Sequence, residues 1–312
     1  MNLINRFYQR KNYKISGLLV VILFILAFWK PYALIYGIQR GSLYVLIALP
    51  LALSLGVIGI LNLAHGDFLT LGAYLAYWIC IYTGADPLLT IIPVLFALFL
   101  VGYVIYKLAI THVLKASPLN QLLLTFGFAM ILEESINFLW SSQPRNIYVS
   151  YASTSTTIGS FTFGTYEFIY SVTAIIILVF LLLFLKRTRM GQAAFAVGQN
   201  SRGAKLVGID VERTYLFIFS LSIAILGIVV GLMLPRASIF PMVGAPFTMK
   251  SFCLVAMAGL GNLTAIFWSG IALGYAEALV QSFKGYGGWA DIVFFIVLII
   301  VISIKSYRRQ IL

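Results

Sequence analysis

The sequence predicts an all-α integral membrane protein of about ten transmembrane or re-entrant helices. Composition is the first reason: of 312 residues, 62% are hydrophobic and only 10% charged, more apolar surface than a soluble core of this size can hide. Pattern is the second. The apolar residues fall in continuous runs of roughly 20, each enough to cross a bilayer as a helix, rather than in the short alternating segments of a barrel. Disorder is excluded by the same hydrophobicity.

Ten apolar segments are read along the chain, at about 15–34, 40–58, 60–82, 87–107, 119–140, 168–186, 214–234, 247–261, 263–282 and 289–304. Residues 1–14 carry Arg6, Arg10, Lys11 and Lys14 ahead of the first run. With no small-residue cleavage site after Trp29-Lys30-Pro31, that run is read as a span and not a removed leader. The membrane-embedded body is thus expected over 15–304, with a loop at 187–213, an opposite loop at 141–167 and a tail at 305–312.

The net charge of +12 is not that of a nucleic-acid binder, because the cations cluster at the ends of apolar runs. Fifteen of the 21 Lys and Arg residues fall in the N-terminal segment, the 107–117 connection, the 186–213 loop and the C-terminus. By the positive-inside rule these face the cytoplasm, both termini included. Cys80 and Cys253 lie far apart in apolar runs and read as small buried hydrophobes. Metal-ligand spacing is absent.

Gly59-Ile60-Leu61-Asn62-Leu63-Ala64-His65-Gly66-Asp67 places polar residues and glycines in a segment where the bilayer makes polar groups costly. On a continuous helix His65 and Asp67 point about 200° apart. A break at Gly66 lets this segment either expose Asn62, His65, Gly66 and Asp67 to a polar solute or use the side chains to hold the break. Glu133, Glu134 and Glu277 are further intramembrane acids. Each needs a partner or a wet cavity, and Glu277 joins the candidate path. Lys250 is read as snorkelling from the start of its segment. The pairs Gly227/Gly231 and Gly270/Gly274 have the spacing of close helix crossings. A short echo links Gly59-Ile60-Leu61-Asn62-Leu63 with Gly259-Leu260-Gly261-Asn262-Leu263; five positions in the same direction do not establish an inverted repeat.

The 186–213 loop mixes small, apolar and basic residues. A short helix there would present Ala193, Ala194, Val197 and Leu206 to a partner's groove, or lie against lipid headgroups. The chain has no Gly-x-x-x-x-Gly-Lys-Ser/Thr phosphate cradle, so it is not expected to bind ATP by that route or to act as an enzyme.

Three stretches together resemble the permease subunits of branched-chain amino acid ABC importers and their urea and amide relatives. They are Gly59 to Asp67 with Leu71-Gly72-Ala73-Tyr74; Arg189-Met190-Gly191-Gln192-Ala193 through Leu206-Val207-Gly208-Ile209-Asp210; and Met249-Lys250-Ser251-Phe252 with Gly259-Leu260-Gly261-Asn262 and Leu273 to Leu279. The N-terminal span and Gly261-Asn262-Leu263-Thr264-Ala265 depart from the pattern.

The resemblance implies a permease in a bacterial or archaeal cytoplasmic membrane, paired with a second, related permease. It also implies two ATP-binding subunits that use the ATP, and an extracytoplasmic solute-binding protein. Arg189, Met190, Gly191, Ala193, Ala194, Val197, Arg202, Leu206, Gly208 and Asp210 would form the coupling loop. The solute would be small and polar, such as a branched-chain amino acid. The competing expectation is a proton- or sodium-coupled secondary transporter using Asp67, Glu133, Glu134 or Glu277.

Overall fold

The structure is a computed structural model that describes residues 31–310, apart from 159, 160, 284 and 286. The first expected span and the N-terminal basic cluster therefore lie almost wholly outside the described residues. Helix α1, Pro31–Ile58, joins the end of that segment to the whole of the second. No turn separates them, since Pro31 suits a first helical position and nothing after it breaks the helix.

Residues 59–64 are irregular, and α2 covers His65–Thr83. A continuous apolar rod follows: a 3₁₀ turn at Pro87–Thr90, α3 at Ile91–Ile105 and a π-helical turn at Tyr106–Ile110. Helix α4 is Pro118–Trp140, begun by the Ser117 hydroxyl, which accepts from Asn120 N–H at 3.4 Å. The loop at 141–167 is more built than a solvated connection. It holds an antiparallel hairpin, β1 Ser155–Ile158 and β2 Phe161–Gly164. The Tyr151 hydroxyl donates to Asp86 at 2.8 Å, and the Gln39 amide to the Gly164 carbonyl at 2.8 Å.

Helix α5 is Phe168–Arg187; the loop after it is two helices, α6 Arg189–Gln199 and α7 Ser201–Leu206, leading into α8 Val211–Met233. Each starts on a side-chain cap. Thr188 accepts from Gly191 N–H at 2.9 Å, Asn200 from Gly203 N–H at 2.9 Å and Asp210 from Arg213 N–H at 3.0 Å. These caps satisfy amides that a helix start leaves free, so the loop is a fixed structure. Helix α9 is Ala245–Ala258, short for a span, α10 is Leu263–Gln281, and α11 is Ala290–Gln310. Helix α11 thus runs past the expected span end at 304 and takes most of the expected tail.

The core is two pairs of helices brought together by glycine. Gly37 and Gly41 of α1 meet Gly270 and Gly274 of α10. A methyl on Gly41 would lie 2.9 Å from Ile271 Cα, and one on Gly37 would lie 2.9 Å from Tyr275 N. In the second pair, a methyl on Gly227 of α8 would lie 2.8 Å from Leu95 N of α3, and one on Gly102 2.9 Å from Ser220 Cα. Backbones this close gain dispersion along their whole length, which drives helix association where no water is displaced. Gly41→Leu is expected to separate α1 from α10 and abolish the monodisperse peak in detergent size-exclusion. Gly127→Leu, where a methyl meets nothing within 4 Å, is expected to leave the peak in place.

Candidate functional site

The polar break begins where α1 ends. Gly59 takes a left-handed φ of +80°, a conformation glycine adopts without penalty, and the chain turns back toward the middle of α1. The break thus lies at 59–64, not at Gly66, which sits in the first turn of α2. His65, 1% exposed, contacts the carbonyl of Ile47 through Nε2 at 2.8 Å. A carbonyl only accepts, so Nε2 carries the proton. Pro50, lacking an amide hydrogen, interrupts the α1 ladder next to that carbonyl. The Asn62 side chain accepts from Ala64 N–H at 3.1 Å, and the Thr125 hydroxyl of α4 donates to Leu61 carbonyl at 3.1 Å. Asp67 stands in the first turn of α2, where free amides and the helix dipole favour a negative charge. Glu133 of α4 is half-buried and its neighbour Glu134 exposed.

Helix α2 meets α9 at their starts. Gly66 N–H donates to Thr248 Oγ1 at 2.8 Å, and Gly244 N–H donates to Thr70 Oγ1 at 3.0 Å. The two halves of this clasp read alike, Gly66-x-x-x-Thr70 and Gly244-x-x-x-Thr248. A methyl on either glycine would collide with the other's backbone. The clasp thus pairs the helix start that follows the break after α1 with the one that follows the connection after α8, and glycine packs α1 against α10 as it packs α8 against α3. Sequence reasoning missed this; the spaced Gly-x-x-x-Thr pair was its only signal. The echo at Gly59 and Gly259 marks two similar breaks. Gly259 has φ +91°, and Asn262 caps α10 by accepting from Ala265 N–H at 3.1 Å.

Glu277 belongs to a separate cluster. Its carboxylate accepts from Tyr44 hydroxyl at 2.7 Å, Arg40 at 3.1 Å and Lys250 at 3.3 Å. Lys250 also donates to the Tyr44 hydroxyl at 3.0 Å and lies over the Tyr44 ring. Lys250 therefore does not snorkel from a segment end. It ties α9 to α1 and α10, because a buried carboxylate costs more than an exposed one unless cations neutralise it. Asn62, His65, Asp67 and Glu277 are all under 5% exposed in the single chain, Glu277 standing apart from the other three.

The coupling-loop residues also divide. Ala194 and Val197 of α6 are buried against the bundle rather than offered to a groove, because α6 folds back onto α5 so tightly that Gly191 leaves no room for a side chain. Gly191 itself is buried, while Met190 and Ala193 are half-buried. Arg202 and Gly208 begin and end the α7 turn, Gly208 at φ +86°, and Asp210 caps α8 and pairs with Arg213 at 3.0 Å. Leu206 is exposed as expected, and sequence reasoning missed its exposed neighbours Val207 and Phe195. Their exposures are 89%, 78% and 61%. Toward the bundle α6 meets the end of α1, and the end of α1 in turn meets the second break. A methyl on Gly198 would lie 2.9 Å from Gly56 carbonyl oxygen, and one on Gly56 3.0 Å from Gly261 Cα.

Residues 33–302 match the family described as the branched-chain amino acid transport system permease component. The chain belongs to this permease family. It is 26% identical over 282 residues to the high-affinity branched-chain amino acid transport permease protein LivH of Salmonella typhimurium, covering 86% of this chain and 91% of that one. The probable LivH of Methanocaldococcus jannaschii is 27% identical over 287 residues, 87% and 89% of the two chains. A fructose import permease protein, FrcC of Rhizobium meliloti, is 24% identical over 264 residues, covering 80% and 71%. No solved structure matches the permease. It is a multi-pass membrane transport protein, as its family and the six helices among the described residues that are long and apolar enough to cross a bilayer agree.

Two measurements check this geometry. Thr248→Val leaves the Gly66 amide buried and unpaired and is expected to cost about 1–3 kcal/mol, with Thr248→Ser close to the parent. Thermal unfolding in detergent followed by tryptophan fluorescence reads the difference. Glu277→Gln leaves both Arg40 and Lys250 without their carboxylate and is expected to cost about 3–5 kcal/mol. Lys250→Met, which leaves Arg40 on Glu277, should cost less in the same assay.

Proposed function

We propose that this chain is the permease subunit of an ATP-driven importer, forming part of the path for a small polar solute such as a branched-chain amino acid. The observation that carries the reading is the exposed apolar face of Phe195, Leu206 and Val207 on a capped helical pair whose inner face touches Gly56 at the end of α1. An exposed hydrophobic face on a rigid mount fits a groove in another protein.

The partners are two ATP-binding subunits on that face, a second, related permease alongside, and an extracytoplasmic solute-binding protein at the opposite end. The membrane is the bacterial or archaeal cytoplasmic membrane, with α6 and α7 inside, in keeping with the basic residues of 186–213. The ATPases bind and hydrolyse ATP; this chain needs no catalytic residue. Their closure displaces α6, which bears on Gly56 and, through it, Gly261. Those contacts adjoin the breaks at 59–64 and 259–262, where Gly59, Gly259 and Gly261 have positive φ and give the helices places to bend. The half-helices α2 and α9 then re-orient about the clasp and switch the path between the two sides. The solute is chosen mainly by the binding protein, which accords with relatives named for amino acids and for fructose.

Purification from native membranes through a C-terminal tag tests the assignment. An ATP-hydrolysing subunit is expected to co-purify and to be lost with Phe195→Asp at unchanged expression and an unchanged size-exclusion profile. Absence of an ATPase even after crosslinking, with uptake that collapses with the proton or sodium gradient, would assign the chain to the ion-coupled carriers.

A further inference from the structure

Helix α1 is the most buried of the six membrane-length helices among the described residues, with 83% of its most apolar window inside the bundle. Of its described residues only Tyr36 and Arg40 are exposed. Four positions apart, they share one face. An arginine on that face needs a polar neighbour, because hydrocarbon does not solvate a guanidinium.

The surroundings of Arg40 are defined on two sides. Toward the bundle, Nη1 donates to Glu277 at 3.1 Å; the carboxylate side chain is 4% exposed and the arginine side chain 46%. Glu277 is shared with Lys250 at 3.3 Å, so one buried carboxylate serves two cations. The other edge of the guanidinium, Nε and Nη2, makes no hydrogen bond among the described residues. Arg236 is different, since its Nε and Nη2 both donate to Glu167.

The second side sets the depth. The Tyr36 hydroxyl donates to the Thr162 carbonyl at 3.3 Å and the Gln39 amide to the Gly164 carbonyl at 2.8 Å. This part of α1 therefore lies directly under the β1–β2 hairpin of the 141–167 loop. Arg40 is one turn below Tyr36, about 6 Å, a height its long side chain covers. A tyrosine ring and an arginine at this level are the residues that the boundary between lipid and water selects. Leu43, three positions nearer the midplane, is partly exposed and apolar.

We propose that Arg40 binds the phosphate of a phospholipid in the leaflet facing the 141–167 loop, through its Nε and Nη2 edge. That edge matches two phosphate oxygens at once. Gln281 of α10 is exposed, and its amide lies 3.5 Å from the same carboxylate, so it supplies a second donor beside the guanidinium. Glu277 anchors the arginine from within, and the lipid tails run past Leu43. The site rests on α1, α10 and the hairpin, and is independent of the importer reading. A free phosphate presents the same oxygens, so the test separates the two.

The full chain, with any subunits that co-purify, is stripped of lipid in mild detergent, and thermal unfolding is followed by tryptophan fluorescence as dioleoylphosphatidylglycerol is added. Each variant is compared with its own lipid-free midpoint, which removes any loss of stability from the substitution itself. The parent and Lys115→Gln, which loses a cation on the 107–117 connection, are expected to be stabilised alike. Arg40→Gln should need on the order of tenfold more lipid for half the effect, the cost of a charge-assisted hydrogen bond. Arg40→Lys should recover part of the loss. Gln281→Ala, a milder change on the surface, should show a smaller rise and guards against Arg40→Gln failing to fold. No stabilisation of the parent, or an equal response in Arg40→Gln, would overturn the site and leave water as the neighbour of Arg40. An equal effect of dioleoylglycerol, which has the tails without the phosphate, would overturn phosphate recognition. An equal effect of inorganic phosphate at the same concentration would overturn the lipid in favour of a free anion.

Discussion

The bundle depends on the reciprocal contact between Gly66 and Gly244. Two helix starts inside a bilayer leave amide hydrogens that lipid does not satisfy, and an unpaired amide there costs several kcal/mol. Each half-helix supplies a threonine hydroxyl to the other's glycine amide, and the absence of side chains on both glycines permits the approach. Neither break is tolerable alone: without α9, Gly66 N–H has no acceptor, and without α2, Gly244 N–H has none. The clasp is thus a requirement of hydrogen bonding, since two interrupted spans satisfy each other where one would not.

Around that contact, the molecule divides into units of different stiffness. Helices α1 and α10 lock through four glycines, and α9 is tied to both through Lys250, Tyr44 and Glu277. Helices α3 and α8 form the second locked pair. Helix α2 is tied to α1 through His65 and, by stacking of Tyr74 on Trp140 at 5.1 Å, to α4. The connections at 59–64 and 259–262 turn on left-handed glycines, and α6 packs against Gly56 just before the first of them.

The sequence made the membrane class, the helical content and the polar break legible, because hydropathy over a span and a glycine-rich polar run are local signals. Partner choice was not local. Lys250 looked like a snorkelling cation because its carboxylate stands 27 residues away on another helix. Ala194 and Val197 looked like a docking face because an amphipathic pattern says which residues share a side, not which side is covered. The clasp escaped notice because a two-residue signature, Gly and Thr four apart, recurs by chance, whereas the more obvious Gly-Ile-Leu-Asn echo marks shared helix-start chemistry.

Glycine distribution carries the last step. Where helices must stay together, glycine sits inside the helix, as at Gly41, Gly102, Gly227 and Gly274, and buys close contact at the cost of backbone entropy. Where the chain must bend, it sits outside the helix at positive φ, as at Gly59, Gly259 and Gly261. The first kind makes pairs that resist separation; the second permits turns that an L side chain would strain, with Gly59 N–H still bonded to the Leu55 carbonyl at 3.0 Å and Gly259 N–H to the Val255 carbonyl at 2.8 Å. Under the importer reading, a displacement of α6 would reach the end of α1 at Gly56 first and, from Gly56, the backbone at Gly261, while the clasp holds the starts of α2 and α9 together.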